Sequence, residues 1–385
     1  MINFGLLGHL EGVGIPNVSS EMMARCFSNA VRFFPFLLPY FSSPKPTFVD
    51  VELTNKCNLR CGMCWFHGEG GIGDRYRGSE LTSDEVIGFI RQIANTRPKI
   101  YLGGAEPFVG KDLLSILETI KNFKLYVFFT TNGTLLDQDK ITKVVDLGVD
   151  HIIFSLDGDE ELHDRIRGKG VFRTVTSNIK DLCTWRNKNN SNKPLISVNI
   201  TITPLIIGHL QETIDSIKKA TEDKVDIYRI HQLWYITSRE LSLHQSATKE
   251  FLDCSAPGAA CHLTPLSKDI NPLTLSEEIS RLARSEKIKC FPNLNYSDLL
   301  DYYTECSPSQ YRCLAPFYRV VIKPNGDVKF CPDEWIDDYI IGNIRVDDLE
   351  HIWKSEKARH FRSVILRQKS FPACKRCSWM YSLRQ

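Results

Sequence analysis

From residue 47 to residue 235, short apolar segments alternate with longer amphipathic segments. The short ones, such as residues 99–102 and 151–156, are rich in β-branched and aromatic side chains, as buried strands are. The longer ones repeat their apolar positions at helical spacing. Six strand-and-helix units of this kind predict a parallel sheet with right-handed crossovers. The predicted strands are residues 48–53, 99–102, 124–129, 151–156, 196–203 and 225–234, and the predicted helices are residues 83–96, 113–122, 139–147, 172–188 and 210–220.

The segments on either side of this region follow other patterns. Residues 1–46 predict a helical preface that ends in a proline-rich turn, and residues 236–309 predict a connector that packs on the sheet. Within the connector, a helix is predicted at residues 276–287. We therefore expect an α/β fold whose main part, residues 47–235, is a partial (β/α)6 barrel of the TIM type.

Residues 310–385 predict a separate, small α+β domain after the barrel. Two strands, residues 318–323 and 328–331, are joined by Pro324-Asn325-Gly326-Asp327, which is a strong hairpin signal. A helix follows at residues 347–366.

Composition mainly excludes classes of function. Of 385 residues, 42% are hydrophobic and 24% are charged, as in ordinary globular proteins. The 48 basic and 46 acidic side chains leave a net charge of +2, which gives no reason to expect a nucleic acid or a membrane surface as partner. No apolar stretch reaches the roughly 18 residues of a spanning helix, and the first residues lack the pattern of a secretory signal. We therefore expect a cytoplasmic protein.

Cysteines are the first sign of chemistry. The chain has 13, and in a reducing cytosol they are more often metal ligands or free thiols than disulfides. Cys57, Cys61 and Cys64 lie together in the loop after the first predicted strand. Thiolates suit iron–sulfur clusters or zinc. A [4Fe–4S] cluster held by three cysteines leaves one iron open for a small molecule, whereas a structural zinc site would need His67 as fourth ligand.

Polar and glycine-rich stretches also follow the predicted strands, at the edge that carries the active site of a parallel barrel. They are residues 103–107, 130–133, 155–158 and, further on, 163–168. Each stretch alone has an ordinary structural explanation, such as a tight turn, a helix cap or a surface ion pair. Their order at successive strand ends favours a functional site.

The spacing Cys57-x-x-x-Cys61-x-x-Cys64 and the order of these stretches resemble the radical S-adenosylmethionine (radical SAM) superfamily over about residues 47–235. The resemblance implies that the three cysteines hold a [4Fe–4S] cluster whose open iron binds S-adenosylmethionine (SAM). Reductive cleavage of SAM would then give a 5′-deoxyadenosyl radical that abstracts hydrogen from a substrate. The family motif Gly-Gly-Glu-Pro is changed here, because Ala105 replaces its second glycine.

The same resemblance implies roles for individual residues. Met63 would pack near the adenine, Glu106 would accept from the methionyl amine, and Arg167 would clamp the SAM carboxylate as a fork. Asn199 and Thr201, together with Thr203, are polar positions on one face of the fifth strand that could reach the ribose. The full set of expected SAM-binding residues is Met63, Gly104, Ala105, Glu106, Asn132, Ser155, Asp157, Arg167, Asn199 and Thr201.

A second set of cysteines lies near the end of the sequence. Cys313, Cys331, Cys374 and Cys377, with Gly326 in the hairpin turn, resemble the SPASM/twitch auxiliary-cluster modules of many radical SAM enzymes. Since no cysteine follows Cys377, we expect one auxiliary [4Fe–4S] cluster with an electron-transfer role. Two alternatives stay open: the four cysteines form a structural zinc knuckle, or Cys306 replaces Cys313 as a ligand.

The expected function is that of an enzyme acting on a small molecule, such as a sugar, an aminocyclitol or another metabolite. An external electron donor of the flavodoxin or ferredoxin type would be needed. His231 could deprotonate a substrate hydroxyl, or it could be an ordinary hydrogen-bonded barrel residue. Cys261, near Cys254 in the sequence, could donate a hydrogen atom to a substrate radical, or it could be an ordinary thiol.

Two other functions remain possible from the sequence. A peptide maturase that makes crosslinks or epimers is one, although the 46-residue preface is short for a leader-binding domain. A non-catalytic electron carrier or zinc-stabilised binding protein is the other, and it leaves the stretches at the strand ends without a purpose.

Overall fold

The computed structural model describes residues 45–68, 71–73, 78–110, 112–263, 270–304 and 311–381. Nearly all of the predicted helical preface lies outside these residues, as does Cys306. Among the helices in the described ranges, none is long and apolar enough to cross a membrane.

One sheet of ten strands organises the described part of the chain. Its order is β10-β9-β8-β1-β2-β3-β4-β5-β6-β7, and β8 and β1 to β7 all run parallel. This confirms the predicted α/β fold with a parallel sheet. The strands are β1 Phe48–Glu52, β2 Lys99–Gly103, β3 Val127–Thr131, β4 His151–Ser155, β5 Leu195–Thr201, β6 Ile227–His231, β7 Ile288–Phe291, β8 Arg319–Ile322, β9 Asp327–Lys329 and β10 Gly342–Asn343.

Helices connect most of the parallel strands, and acidic or hydroxyl side chains cap many of them. Thr82 and Glu85 form a capping box at the start of the first helix, and Asp137 caps the third. The helices are α1 Ser83–Ile93, α2 Leu113–Asn122, α3 Gln138–Asp146, α4 Glu160–Arg167, α5 Val171–Lys188, α6 Leu210–Ala220, α7 Ser238–Leu252, α8 Pro272–Leu282, α9 Tyr296–Tyr303, α10 Leu349–Trp353 and α11 Glu356–Gln368.

The connector contributes more regular structure than its sequence pattern indicates. It supplies β7, which pairs in parallel with β6, and three helices, α7 to α9. The helix expected at residues 276–287 begins earlier, at Pro272, because Asn271 caps it and proline suits the first helical position. The barrel sheet therefore has a seventh parallel strand beyond the six expected.

The C-terminal hairpin continues the barrel sheet. β8 pairs in parallel with β1, Phe48 beside Arg319 and Val51 beside Ile322, and β9 returns antiparallel. The expected small α+β domain thus shares its strands with the barrel. The single helix expected at residues 347–366 is two helices, because Ser355 caps a new start after α10.

The two faces of the sheet differ in polarity. Residues such as Val49, Ile100 and Ile152 are fully buried on one face. The opposite face, which we call the inner face, carries polar and aromatic side chains. On it the ring of Phe48 in β1 lies 5.9 Å from the ring of Phe128 in β3, so the sheet curves around this face. The named members of the inner face are Phe48, Asp50, Glu52, Tyr101, Phe128, His151, Ser155, Ser197, Asn199, Thr201, Arg229, His231, Arg319, Lys323 and Lys329.

Candidate functional site

The loop that carries Cys57, Cys61 and Cys64 follows β1 at the carboxyl edge of the sheet. Its backbone is held from both sides, since Gly62 N donates to Ile166 O (2.9 Å) and Cys64 N donates to Cys61 O (3.0 Å). Backbone amides also point at the sulfurs: Leu59 N lies 3.4 Å from Cys57 Sγ, and His67 N lies 3.3 Å from Cys64 Sγ. Such amides stabilise negative charge on sulfur.

Side chains from two other elements meet the same sulfurs. Asn132 Nδ2, after β3, lies 3.8 Å from Cys57 Sγ, and Arg167 Nη1, at the end of α4, lies 3.7 Å from Cys61 Sγ. Burial raises the pKa of the Cys57 thiol and raises that of Cys61 to about 11. These thiols would be deprotonated by a bound metal centre, and the soft three-sulfur donor set fits the expected cluster.

His67 is engaged in holding the cysteine loop. Its Nε2 lies 2.8 Å from the carbonyl oxygen of Asn55. On the other side of the ring, a Cβ at Gly73 would come within 2.6 Å of Nδ1, so glycine makes room for the imidazole there. The structure therefore gives no support to His67 as fourth zinc ligand. Among the described residues, no group of three or more His, Cys, Asp or Glu side chains is arranged to hold a single metal ion.

Gly104 and Ala105 join the end of β2 to the cysteine loop through the backbone. Gly104 has a φ of 99°, and a Cβ there would lie 2.6 Å from Thr54 O. Ala105 N donates to the same carbonyl at 2.9 Å. Only glycine fits the first position without strain. Because Ala105 contacts the loop through its amide, alanine is accepted where the family motif has glycine.

Glu106 is completely buried and connects the ends of β2 and β3. Its carboxylate accepts from Thr131 Oγ1 (2.7 Å), from Asn132 N (2.7 Å) and from Phe108 N (3.3 Å). Burial raises its pKa, although these hydrogen bonds and Arg167 act in the opposite direction. Any contact of Glu106 with a methionyl amine would be additional to three hydrogen bonds that already position the strand ends.

Asp157 fixes the direction of Arg167. Its Oδ2 accepts from Arg167 Nε (2.6 Å), and its Oδ1 accepts from Thr201 N (2.6 Å). Its own amide donates to His163 Nδ1 at 3.0 Å. The aspartate also raises the pKa of the guanidinium, which stays charged beside the cysteines. Asp157 therefore positions a fixed positive charge at the edge where SAM is expected.

Three further SAM candidates lie near this edge with less defined contacts. Ser155 in β4 and Asn199 in β5 are register partners on the inner face. Asn199 Oδ1 is buried and has no hydrogen-bond partner among the described residues, so it is available to a ligand hydroxyl. Met63 is half-buried in the cysteine loop. The unsatisfied amide oxygen fits a bound ribose.

The four C-terminal cysteines come together from three segments. Cys313 precedes a turn at Ala315–Phe317, and Cys331 follows β9. Cys374 lies in the turn Pro372–Arg376 after α11, and Cys377 follows that turn. The other three thiols all act to raise the pKa of Cys331, which shows how close they lie.

Amides and apolar side chains surround these four sulfurs. Phe371 N donates to Cys374 Sγ (3.3 Å), and the amides of Ala315 and Trp379 stabilise the thiolates of Cys313 and Cys377. Trp335 and Ala373 belong to the apolar cluster in which the sulfurs sit. A four-sulfur donor set in largely apolar surroundings fits an auxiliary iron–sulfur cluster.

His231 ends β6 on the inner face, and its hydrogen bonding defines its tautomer. Nδ1 lies 2.9 Å from the carbonyl oxygen of Gln232, which can only accept, so Nδ1 carries the proton. Burial lowers the pKa of His231 to about 4. The imidazole is therefore neutral near pH 7, and Nε2 keeps a lone pair that could accept a substrate proton.

Cys261 lies in the turn Pro257–His262, in the electrostatic field of Glu334, Asp333 and Asp337. Burial and these carboxylates raise its pKa strongly. The sulfur stays protonated, which is the state that a hydrogen-atom donor requires. Cys254, its neighbour in the sequence, is buried with Sγ 3.9 Å from Thr248 O.

Sequence reasoning missed several charged residues of the inner face. Asp50 is buried with Oδ1 unsatisfied within the described ranges, and burial raises its pKa to about 8. Arg229, Lys323 and Lys329 also point to this face. A signal was present, since Asp50 and Glu52 are charges at alternate positions of an otherwise apolar strand.

Two family models match the chain. The radical SAM superfamily model matches residues 51–223, and an iron–sulfur cluster-binding domain model, SPASM, matches residues 313–378. Together they cover the edge with the three cysteines and the segment with the four.

Named proteins resemble the chain more distantly. The tungsten-containing aldehyde ferredoxin oxidoreductase cofactor-modifying protein of Pyrococcus furiosus is 25% identical over 341 residues, 86% of this chain and 87% of that protein. The AdoMet-dependent heme synthase of Methanosarcina barkeri is 34% identical over 140 residues, 36% of this chain and 39% of that protein. Among solved structures, Streptococcus suis SuiB bound to precursor peptide SuiA has a TM-score of 0.60 at 15% identity, covering 86% of this chain and 69% of that chain. At that identity the likeness shows the fold alone.

Proposed function

The chain is a radical SAM enzyme with a C-terminal SPASM domain, and on that premise we propose that it oxidises a small-molecule substrate held at the inner face of the sheet. Its cofactors are SAM and [4Fe–4S] clusters. When bound, SAM and its cluster would supply a 5′-deoxyadenosyl radical for hydrogen-atom abstraction from the substrate, and an auxiliary cluster would supply an acceptor for the electron that the oxidised substrate loses. We assign the first cluster to Cys57, Cys61 and Cys64, and one auxiliary cluster to Cys313, Cys331, Cys374 and Cys377.

In this assignment the chain's own residues orient SAM. Arg167, held by Asp157, faces the SAM carboxylate beside Cys61, where the 3.7 Å contact with sulfur already places it. The backbone of Gly104 and Ala105, with Glu106 behind it, faces the amine. Ser155, Asn199 and Thr201 contact the ribose, and Met63 packs on the adenine. Asn132 donates a hydrogen bond to Cys57 Sγ.

One observation carries the small-molecule part of the proposal. Polar atoms without hydrogen-bond partners, within the described residues, lie on the inner face of the sheet and in the segment that follows β6. They include Asp50 Oδ1, Gln232 Nε2 and Trp234 Nε1. Unsatisfied buried polar atoms are costly, so their concentration supports a polar ligand of limited size. The relative that matches most of the chain, by its name a cofactor-modifying protein, supports the same class.

His231 and Cys261 are the proposed catalytic residues. His231 Nε2 would take the proton from the substrate carbon or hydroxyl as the electron leaves, so that hydrogen atom, proton and electron are all accounted for. If the substrate radical is instead reduced, protonated Cys261 would give it a hydrogen atom, and one electron from the auxiliary cluster with one proton would then restore the thiol from the thiyl radical. The electron that starts the cycle would come from a flavodoxin or ferredoxin.

The test is anaerobic reconstitution followed by iron and sulfide analysis and an assay for 5′-deoxyadenosine. We expect about eight irons per chain, as two cubane clusters require. The double variant Cys331→Ala with Cys374→Ala should bind about four. The single variant Cys290→Ala, a thiol of β7 outside both sets, should keep the full count. Bound zinc with no 5′-deoxyadenosine would contradict the proposal.

A second arm separates small molecules from peptides. A cell-extract ultrafiltrate that increases 5′-deoxyadenosine formation is divided, and one half is treated with protease. Stimulation that survives the protease supports a metabolite. Stimulation that is lost points to the peptide-maturase alternative.

A further inference from the structure

One arginine of the inner face has no acidic partner. Arg229 lies in the middle of β6, in register with Asn199 of β5 and Lys289 of β7. Its guanidinium packs on the ring of Phe291, with a distance of 4.8 Å to the ring centroid. Across the residues that the structure describes, the side chain forms no hydrogen bond and no carboxylate lies within ion-pair distance of it.

Several other buried cations are paired with carboxylates, whereas Arg319 lies between aromatic rings and Arg362 donates to backbone carbonyls. Arg167 Nε lies 2.6 Å from Asp157 Oδ2, and Lys323 Nζ lies 2.8 Å from Glu52 Oε2. Arg376 Nη2 lies 2.9 Å from Glu240 Oε1. Removing a charge from water without a counter-ion is costly. Arg229 is half-buried and burial lowers its pKa, so its charge carries that cost in the ligand-free protein.

The groups around Arg229 leave its charge uncompensated. It contributes to lowering the pKa values of His151 and His231 to about 4, so both rings are neutral near pH 7. Tyr101 is protonated there, since burial raises its pKa strongly. Beside the arginine, on the same face of β6, the lone pair on His231 Nε2 offers an acceptor.

We propose that Arg229 binds an anionic group of the substrate, a carboxylate or a phosphate, with His231 Nε2 receiving a neighbouring hydroxyl or amine. The planar guanidinium can hold either anion through two parallel hydrogen bonds. This inference rests on the proposed function, because it names the class of the small molecule as anionic. It also explains why a charged residue stands unpaired in the middle of a barrel strand.

The anion is not the SAM carboxylate. That group must reach the iron held by the three cysteines. Arg167 is the arginine near them, since Cys61 and Cys64 both raise its pKa. For Arg229, the one titratable side chain with an effect on its pKa among the described residues is Tyr101, which is neutral near pH 7. The two arginines therefore serve two different anions.

The test uses the full, reconstituted chain and three probes at equal ionic strength: inorganic phosphate, glutarate and chloride. Thermal unfolding midpoints are measured for the wild type, for Arg229→Met and for Arg91→Gln. Methionine keeps the packing on Phe291 but removes the charge, and Arg91 is an exposed arginine of α1 that serves as matched control. We expect phosphate or glutarate, but not chloride, to raise the midpoint of the wild type and of R91Q, with the response lost in R229M.

The same measurements exclude a purely structural role. Without added anion, R229M should unfold at the same temperature as the wild type or at a higher one, because a buried unpaired charge has been removed. Phosphate as the active probe would identify a phosphate-bearing substrate, and glutarate a carboxylate-bearing one. An equal response in R229M, no response in the wild type, or displacement of SAM by the active anion would overturn the inference.

Failure of this inference can be told from failure of the proposed function. Wild-type SAM cleavage is measured in the same preparations. Cleavage without an anion response overturns only the role of Arg229. An anion response without any 5′-deoxyadenosine overturns the enzymatic proposal and leaves an anion-binding site.

Discussion

Gly104 occupies a position of this site that accepts only glycine. Its φ of 99°, and the 2.6 Å that would separate a Cβ at this position from Thr54 O, leave no room for a side chain. We expect Gly104→Ala to lower the free energy of unfolding by more than about 1 kcal/mol and to weaken SAM binding. Equilibrium dialysis with SAM and urea denaturation measure the two effects.

Gly88 is the matched control. It is exposed in the middle of α1, and a Cβ there would meet no atom within 4 Å. Gly88→Ala should stabilise the protein by about 0.5–1 kcal/mol, because alanine has the higher helix propensity. Equal effects of the two substitutions would contradict the role given to Gly104.

Glu106 is the second residue whose environment makes a sharp prediction. A glutamine at this position would place an NH2 group, itself a donor, opposite the hydrogen-bond donors that now bind the carboxylate oxygens. We expect Glu106→Gln to lower the free energy of unfolding by about 1–3 kcal/mol. Glu118→Gln, at an exposed position of α2, should change it by less than about 0.5 kcal/mol. If both variants denature at the same urea concentration, the carboxylate does not hold the strand ends together.

At this scale the sequence was most informative where spacing is local. The three cysteines lie within eight residues, and their loop brings Cys57, Cys61 and Cys64 together in the structure. The sequence analysis did not single out Arg229, because its interest depends on the absence of a carboxylate near its guanidinium among the described residues. No local pattern reveals that a strand arginine lacks a carboxylate from other strands.

Among the elements, β1, β8 and β9 are linked by a buried ion network. Lys323 pairs with Glu52 at 2.8 Å and with Glu334, and Lys329 Nζ lies 3.1 Å from Glu334 Oε2. Glu334 is completely buried, so it depends on these lysines for its charge. The network connects the barrel to the loop that follows Cys331.

Lys323→Met should therefore be severely destabilising, by about 3–5 kcal/mol, since it leaves buried carboxylates with too few partners. Lys140→Met, which removes an exposed pair with Asp137, should cost less than about 1 kcal/mol. Guanidinium denaturation of both variants measures the difference. A loss no larger in K323M than in K140M would show that the network contributes little to joining the strands.

Element boundaries were predictable where caps and apolar periods coincide. The helices Leu113–Asn122 and Leu210–Ala220 have the bounds expected from the sequence. The third strand begins later than expected because Lys124 takes a left-handed conformation with a φ of 56°. β7 was missed because its four residues, Ile288–Phe291, are too few to show a period.

For the whole molecule, buried histidines predict how stability depends on pH. Burial lowers the pKa values of His151, His163, His231, His244 and His262 to about 4, against an ordinary value of 6.5. Above pH 6.5 the rings are neutral in both states. As the pH falls below 6.5, the unfolded chain binds protons that the folded chain does not, so stability falls until about pH 4.

We expect the urea midpoint to drop steadily from about pH 7 to about pH 5. Visible absorbance of the clusters, followed in the same samples, separates cluster loss from unfolding. His351→Gln, at an exposed site of α10, should leave the slope unchanged. A midpoint that is constant over this range would contradict the burial of the five rings as neutral groups.

The overall architecture was partly predictable for a physical reason. Alternating strand and helix patterns predict a parallel sheet, and the parallel sheet was confirmed. The sequence did not show that the C-terminal strands complete the same sheet. Phe48 pairs with Arg319, which lies far away in the sequence, and a local hydrophobic pattern does not show which distant strands pair.

The junction of β1 with β8 also has a consequence for biosynthesis. Thr47 hydrogen-bonds Tyr318, 271 residues further along the chain, just ahead of the paired strands. While the polypeptide is still emerging from the ribosome, the first strand has one edge without its final neighbour until residues 319–322 have been translated. Chaperones and cluster-loading machinery would accordingly meet a nascent barrel that is open on that side.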